Sequence, residues 1–171
     1  AENALQNPAV DAIIGLHISQ GGVVGTAGYR ARGFMASAQR FDILIEGQQT
    51  HGARPWSGID PVVVGAQIVT SLQTIVSRQI DITETPAVVS VGKFESGVRN
   101  NIIPEVAKLS GTIRTFDNDV KTQIHAKIRR IAEGVADSQG AKVTVTIDPG
   151  VPVTFNNVGL TEQLAPTLKA V

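Results

Sequence analysis

The chain of 171 residues balances 15 basic against 15 acidic side chains, so it has no charge excess to attract nucleic acid or an anionic membrane. It contains no cysteine, which excludes disulfides, thiolate metal ligands and thiol nucleophiles but leaves the compartment open. Its apolar content is 42%, and no apolar run approaches the roughly 20 residues of a membrane span. We therefore expect a soluble protein, cytoplasmic or periplasmic, that binds neither nucleic acid nor membrane.

The first 32 residues predict strands that need partners from elsewhere. Residues 11–18, "DAIIGLHI", form a continuous apolar run, which is typical of a strand covered on both faces in a parallel sheet. Residues 23–30, "VVGTAGYR", predict a second strand beside it. The chain does not begin with methionine. We expect a processed or excised piece of a longer protein.

The first half of the central region predicts a strand, a long loop and a helix. "RFDILIEG" alternates apolar and polar side chains, the period of a half-buried strand. Asp60 and Pro61 supply an N-cap and a first-turn proline for the mostly apolar helix that follows. Gly65 and Ala66 lie on one face of this helix, where small side chains permit close approach of a sheet or another helix.

The second half predicts two strands, a helix and a last strand. "AVVSVGKF" and residues 106–116, "VAKLSGTIRTF", have strand character, the second with clear alternation. Asp117 or Asn118 caps an amphipathic helix whose apolar residues recur at spacings of three and four. Gly140 ends that helix, and "KVTVTI" supplies the last strand.

This order of elements is that of a ferredoxin-like α+β fold, a two-layer sandwich. A four-stranded antiparallel sheet would carry both helices on one face and a polar row on the other. We expect residues 33–150 to form this domain. Residues 1–32 and 151–171, the latter with a helix near Pro166, would belong to a second, incomplete domain. The predicted polar row consists of Asp42, Lys108, Thr112, Arg114, Lys142 and Thr144.

The connection "QTHGARPWSGIDP", residues 49–61, is longer than most strand-to-helix loops and holds the chain's only tryptophan. Its glycines make the backbone adaptable. In one interpretation this is a plain surface loop, and Arg54 and Trp56 pack against the core of the domain. In the other, the imidazole of His51 is held over a ligand and donates a hydrogen bond to a developing oxyanion.

Among the residues of the predicted strands and turns, Arg114 could bind a carboxylated ligand. Arg114 points to the polar sheet face, where its guanidinium could donate two parallel hydrogen bonds to a ligand carboxylate or pair with Asp42 or Glu46. Asn100 and Asn101 are ordinary turn residues unless another observation singles one of them out.

The other two histidines are weaker candidates. His17 ends an apolar run before a glycine-rich turn, where open α/β sheets place ligand groups, although composition alone favours a partly buried histidine bonded to backbone. No neighbouring pattern of His, Asp or Glu completes a zinc site around it. His125 is expected at the surface, on the edge of the polar face of the second helix.

Seven short motifs in sequence resemble the dinuclear-metal aminoacylase and carboxypeptidase family. The branch most similar to this chain contains hippurate hydrolases, N-acyl-amino-acid amidohydrolases and auxin-conjugate hydrolases. The resemblance implies a zinc-peptidase domain interrupted by a ferredoxin-like lid that also mediates dimerisation. The motifs are "GLH" at 15–17, "MAS" at 35–37, "HGARP" at 51–55, "DPV" at 60–62, "TIVSR" at 74–78, "NIIP" at 101–104 and "GTIRTFD" at 111–117.

The same resemblance implies roles for four residues. His17 matches a metal-ligand histidine of the catalytic domain. His51 matches a lid histidine that reaches into the partner subunit's active site and stabilises the tetrahedral intermediate. Asn101 and Arg114 match lid residues that contact substrate, Arg114 through the carboxylate of the amino acid. The family's upstream metal-binding segment, its glutamate pair and its final histidine ligand are missing from this sequence.

We therefore expect the lid and dimerisation portion of a metal-dependent amidohydrolase that hydrolyses the amide bond of N-acyl amino acids or similar small peptides and conjugates. The intact enzyme would use two divalent metal ions, zinc or manganese, whereas this chain is expected to bind none and to be inactive alone. A homodimer is expected through the first helix, with Gly65 and Ala66, and an adjacent edge strand.

Two other functions fit the strand order. One is a free-standing ferredoxin-like module that binds a small carboxylated ligand without catalysis. The other is an RNA-recognition fold, which the absence of paired exposed aromatics on the central strands disfavours.

Overall fold

A computed structural model describes residues 5–6, 8–18 and 20–169 of the chain. They divide into two compact units, a central one of residues 35–154 and an outer one drawn from residues 1–34 and 155–171. In chain order the elements are β1 (Arg32–Met35), β2 (Gln39–Glu46), β3 (Thr50–His51), a 3-10 turn (Pro55–Ser57), α1 (Pro61–Arg78), β4 (Ala87–Ser96), β5 (Ile102–Ile103), β6 (Val106–Thr115), α2 (Asn118–Ser138), β7 (Lys142–Ile147), β8 (Thr154–Asn156) and α3 (Val158–Lys169).

The central unit is built on a four-stranded antiparallel sheet in the order β4-β6-β2-β7. Helices α1 and α2 pack on one face of this sheet and share one apolar core with it. This is the ferredoxin-like arrangement, so the predicted fold class is confirmed. The core consists of Phe41, Ile43, Ile45, Val64, Ile68, Leu72, Ile75, Val89, Ala107, Leu109, Ile113, Ile124, Ile128, Ala132, Ala136 and Val145.

Alternation along the strands decides which side chains enter that core. On β2, Phe41, Ile43 and Ile45 are at most 1% exposed, while the residues between them face the other side of the sheet. Leu109 and Ile113 do the same on β6. None of the six residues of the predicted polar row is buried, so the assignment of the two sheet faces is confirmed.

Helix α1 begins where its capping residues predict. The Asp60 carboxylate accepts hydrogen bonds from the backbone N–H groups of Val62 and Val63, at 2.8 and 3.3 Å. Gly65 faces the sheet so closely that a Cβ atom there would lie 2.7 Å from Cζ of Phe94. The prediction that Gly65 contributes to a self-association surface is therefore wrong, because the sheet already covers it. Ala66, one position on, is exposed.

Helix α2 is capped by Asp117, which accepts from the backbone N–H groups of Asp119 and Val120 at 2.8 and 2.9 Å. Its apolar stripe packs on the sheet, as the spacing predicted. Gly140, with a φ of +72°, follows the helix in the left-handed conformation that glycine adopts at little cost.

In the outer unit, the two strands predicted for residues 11–18 and 23–30 are wrong. The backbone there is irregular, and the apolar side chains are exposed, Leu16 at 96% and Val24 at 99%. An apolar strand needs neighbours on both edges and both faces, and the described residues supply none. Helix α3 forms as predicted and contains Pro166 within it. None of the described helices is both long and apolar enough to cross a membrane.

Candidate functional site

Two loops at one end of the central sheet are held together by backbone hydrogen bonds. We call residues 47–60 the histidine loop and residues 97–105 the asparagine loop. Strands β3 and β5 join them, pairing His51 with Ile102 in antiparallel register. The N–H of Gly52 donates to the carbonyl of Asn101, and the N–H of Gly47 to that of Glu105, both at 2.8 Å. His51 and Asn101 are thereby brought together.

Close contacts at its base make the histidine loop a stiff element. Gln48 and Ile59 exchange two backbone hydrogen bonds, of 2.9 and 3.0 Å. A Cβ atom on Gly47 would lie 2.3 Å from the carbonyl oxygen of Ile59, and one on Gly58 would lie 2.4 Å from that of Gln48. The sequence suggested that these glycines make the loop adaptable, whereas they permit it to close tightly. In the sequence, the signal for this tight closure was the position of Gly47 and Gly58 near the two ends of the loop.

The imidazole of His51 is exposed and oriented by its own loop. Its Nδ1 accepts a hydrogen bond of 3.0 Å from the N–H of Ala53. Because Nδ1 accepts, the proton of the neutral ring lies on Nε2, which is then a donor. No described residue accepts from Nε2, and the asparagine loop next to it presents the exposed Asn101. The loop pair therefore offers hydrogen bonding groups to a molecule outside this chain.

The tip of the histidine loop does not fold back on the core. Trp56 lies in the 3-10 turn of Pro55–Ser57 and is 79% exposed, and Arg54 is also exposed. The interpretation in which these two residues pack against the core is therefore wrong. The backbone hydrogen bonds between Gln48 and Ile59, together with those of the turns in the loop, keep the tip away from the core.

Arg114 lies on the polar sheet face without a carboxylate partner among the described residues. One of its guanidinium nitrogens donates to Oγ1 of Thr112 and, at 2.9 Å, to the carbonyl of Ile113. Asp42, the partner considered from the sequence, is bonded instead by Arg40 at 2.8 Å and by Ser110.

These bonds from Arg40 and Ser110 hold the pKa of the Asp42 carboxyl below its usual range. The carboxylate that could have paired with Arg114 is thus ionised and engaged elsewhere. The other guanidinium nitrogens of Arg114 can donate hydrogen bonds to a carboxylate from outside the chain.

Arg114 and the loop pair lie at opposite ends of β6. The residues of β3 and β5 continue the ladder that β2 and β6 form up to the Glu46–Val106 pair. Arg114 is the next-to-last residue of β6. From Val106 to Arg114 the strand rises about 26 Å at 3.3 Å per residue. The structure brings His51 and Asn101 together but does not bring Arg114 to them.

His17 has no set of companion ligands in the part of the chain that the structure describes. It lies on the irregular backbone of the outer unit and is exposed. No three or more His, Cys, Asp or Glu side chains among the described residues are arranged to hold a metal ion. The residues present therefore do not fit a dinuclear metal centre.

His125 is half-buried, although the sequence predicted a plain surface residue. Its Nε2 is inaccessible to solvent and has no hydrogen bond partner among the described residues. Burial lowers the pKa of His125, and the nearby positive charges of Lys121 and Arg129 lower it further. The neutral ring is the form that this site accommodates.

Residues 36–139 match the family model of the peptidase dimerisation domain of M20 peptidases. The match covers more than half of the chain, which therefore belongs to this family of dimerisation domains. The family resemblance found in the sequence motifs is confirmed.

The chain is similar to parts of longer bacterial proteins. It is 35% identical over 156 residues to N-acetyl-L-cysteine deacetylase of Bacillus subtilis, covering 91% of this chain and 37% of that protein. It is 37% identical over 147 residues to N-acyl-L-amino acid amidohydrolase of Geobacillus stearothermophilus, covering 86% and 40%. The chain thus spans about two fifths of the length of these relatives.

Solved structures agree with the fold. A dinuclear metal-binding peptidase of the M20 family from Bacillus subtilis superimposes with a TM-score of 0.66 at 29% identity, covering 84% of this chain and 34% of that one. A structure from methicillin-resistant Staphylococcus aureus gives a TM-score of 0.79 at 30% identity, covering 84% and 38%.

Proposed function

We propose that this chain is the lid and dimerisation portion of a metal-dependent amidohydrolase that cleaves the amide bond of N-acyl amino acids. In this proposal His51 donates a hydrogen bond to the oxyanion that forms in the partner subunit's active site. Asn101 assists it, and Arg114 binds the carboxylate of the amino acid. Family membership and the names of the relatives support the reaction class.

The observation that carries the role of His51 is its orientation. The ring is exposed, and its Nδ1 accepts a hydrogen bond from the N–H of Ala53. In the neutral ring the proton then lies on Nε2, which has no acceptor among the described residues. A hydrogen-bond donor held in place before the reaction stabilises negative charge as it develops on a carbonyl oxygen. The stiff histidine loop lowers the cost of holding the ring in that position.

The separation of Arg114 from His51 supports action between subunits. The strand between Val106 and Arg114 alone rises about 26 Å, which is longer than a small N-acyl amino acid. One lid therefore does not contact both the scissile carbonyl and the carboxylate of the same substrate molecule. A site that takes His51 from one subunit and Arg114 from the other satisfies both contacts.

The proposed dimer surface combines the outer face of α1 with the neighbouring edge strand β4. Val62 and Val63 are 39% and 47% exposed on α1, and Phe94 is 39% exposed on β4. One edge of β4 pairs with no strand among the described residues, so its backbone groups are offered to a second strand. Gly65 has no part in this surface.

The parent enzyme would hold two divalent metal ions, which would supply Lewis-acid chemistry when bound. We propose His17 as one ligand, with the others supplied by parts of the protein outside this chain. No described donor set holds a metal, so the roles assigned to this chain are those of His51, Asn101 and Arg114.

Complementation between inactive variants tests the proposal in the full-length protein. His51→Ala is expected to lower kcat about 100-fold or more with little change in KM, since the lost contact belongs to the transition state. Arg114→Ala is expected to impair substrate binding. A heterodimer of the two variants then contains one intact site and recovers roughly half of the wild-type activity.

The activity of the heterodimer and of His51→Ala distinguishes action between subunits from action within one subunit and from no catalytic role for His51. If His51 and Arg114 act within one subunit, both sites of the heterodimer carry a lesion and no activity returns. If His51→Ala leaves turnover unchanged, the role of His51 is rejected, and the non-catalytic carboxylate-binding module becomes the better account of the loop pair.

A further inference from the structure

We propose that Trp56 binds the acyl group of the substrate and selects for large or aromatic acyl chains. This inference rests on the proposed function, because it places Trp56 in the same intersubunit site as His51. It adds a specificity-determining residue that acts on the part of the substrate that neither His51 nor Arg114 contacts.

The exposure of Trp56 is the starting observation. Its side chain is the chain's only indole, and it is 79% exposed. A large aromatic side chain on a mobile loop could turn back to the apolar core and lower its free energy. The histidine loop prevents this, since its closed base and consecutive turns hold the tip outward. Such a side chain is suited to contact an apolar group that arrives from outside the chain.

Two consecutive turns connect Trp56 to His51. The N–H of Arg54 donates to the carbonyl of His51 at 2.7 Å, and the N–H of Ser57 donates to that of Arg54 at 3.0 Å. Hydrogen-bonded turns of this kind keep the Cα atoms of His51 and Trp56 within about 14 Å of each other. Over this separation, the imidazole of His51 can contact the carbonyl oxygen of a substrate while the indole of Trp56 contacts the acyl group bonded to the same carbonyl carbon.

The chemistry of an N-acyl amino acid identifies the group that Trp56 would meet. Its amide carbonyl is assigned to His51, and its carboxylate is assigned to Arg114 at the other end of a lid. Two variable parts remain, the amino-acid side chain and the acyl group, and only the acyl group is bonded directly to the carbonyl carbon. An indole beside the carbonyl donor therefore faces acyl carbon atoms, and it stabilises larger acyl groups by a larger contact area.

The test compares acyl groups on one amino acid with the full-length protein. The substrates are the N-acetyl and N-benzoyl derivatives of one L-amino acid, and the variants are Trp56→Ala and Trp56→Phe. We expect Trp56→Ala to lower kcat/KM for the benzoyl substrate about tenfold more than for the acetyl substrate. Trp56→Phe keeps an aromatic ring and is expected to retain most of the preference.

A matched control uses another exposed apolar residue. Ile82 is 53% exposed and follows the other end of α1, a helix of 18 residues that spans about 27 Å. Ile82→Ala should leave the ratio of the two kcat/KM values unchanged. An unchanged ratio in this control shows that the loss of an exposed apolar side chain does not by itself change the preference between acyl groups.

Two results would overturn the inference. Equal losses for both acyl groups would make Trp56 a residue that only positions the loop or contacts protein of the partner. No loss for either would leave it without a role in catalysis. Failure of the proposed function gives a different result, because His51→Ala would then leave turnover of both substrates unchanged.

Discussion

The N–H of Gly52 donates to the carbonyl oxygen of Asn101 at 2.8 Å, which ties the residue after His51 to the residue assigned to assist it. This bond makes the histidine and asparagine loops one structure, so a displacement of either loop displaces both candidate donors. Arg114 is independent of that structure, since it lies at the other end of β6. The central unit thus carries the two proposed sets of substrate-binding groups on separate parts of its structure.

Replacing Arg114 by lysine should weaken substrates with a free carboxylate. Lysine keeps the charge but lacks the planar fork that binds a carboxylate through two parallel hydrogen bonds. In the full-length protein we expect Arg114→Lys to lower kcat/KM about tenfold for an N-acyl amino acid. For the corresponding carboxamide the loss should be small, and equal losses in steady-state kinetics would contradict the assignment.

A charge on the outer face of α1 should weaken self-association. Val63 is 47% exposed there, so Val63→Glu introduces two like charges into a symmetric dimer interface without disturbing the core. Sedimentation velocity over a concentration series should show a dissociation constant raised about tenfold or more. Ile82→Glu, beyond the other end of the helix, is the control. An unchanged constant for Val63→Glu would place the interface elsewhere.

Two glycine substitutions should change stability in opposite directions. A Cβ atom on Gly111 would lie 2.2 Å from Cζ of Phe41 and 2.4 Å from the carbonyl oxygen of Ser90, so Gly111→Ala should lower the free energy of unfolding by about 1–3 kcal/mol. Gly134 lies in α2 with open space around its Cα, and Gly134→Ala should raise that free energy by about 0.5–1 kcal/mol. Urea denaturation measures both values. A Gly111→Ala protein of wild-type stability would contradict the close β6–Phe41 contact.

His125 should make stability fall in mild acid. Burial of the ring lowers its pKa in the folded state below the ordinary value of about 6.5 that it has when unfolded. The unfolded chain therefore binds the proton more tightly, so the free energy of unfolding decreases as pH falls below about 6.5. Denaturant midpoints measured from pH 7.5 to 5 should decline more in the wild type than in His125→Gln, which does not titrate. Parallel pH profiles would show that His125 does not govern this decline.

Local patterns predicted most of the central unit correctly. Alternation in β2 and β6 identified the buried side chains, and Asp60 and Asp117 marked the starts of α1 and α2 by capping them. These features depend on neighbours within a few residues. The run at residues 11–18 shows the limit, because an apolar segment becomes a strand only when other strands lie beside it.

The amino-acid sequence by itself determined the order of strands and helices, and hence the ferredoxin-like class, because side-chain period and helix caps act over short stretches of chain. Only the tertiary structure decided which groups meet. Phe94 covers Gly65, the hydroxyl of Ser110 binds Asp42, and the bond between Gly52 and Asn101 joins the two loops. Each of these contacts depends on strand register and loop closure between segments distant along the chain, which no local pattern encodes.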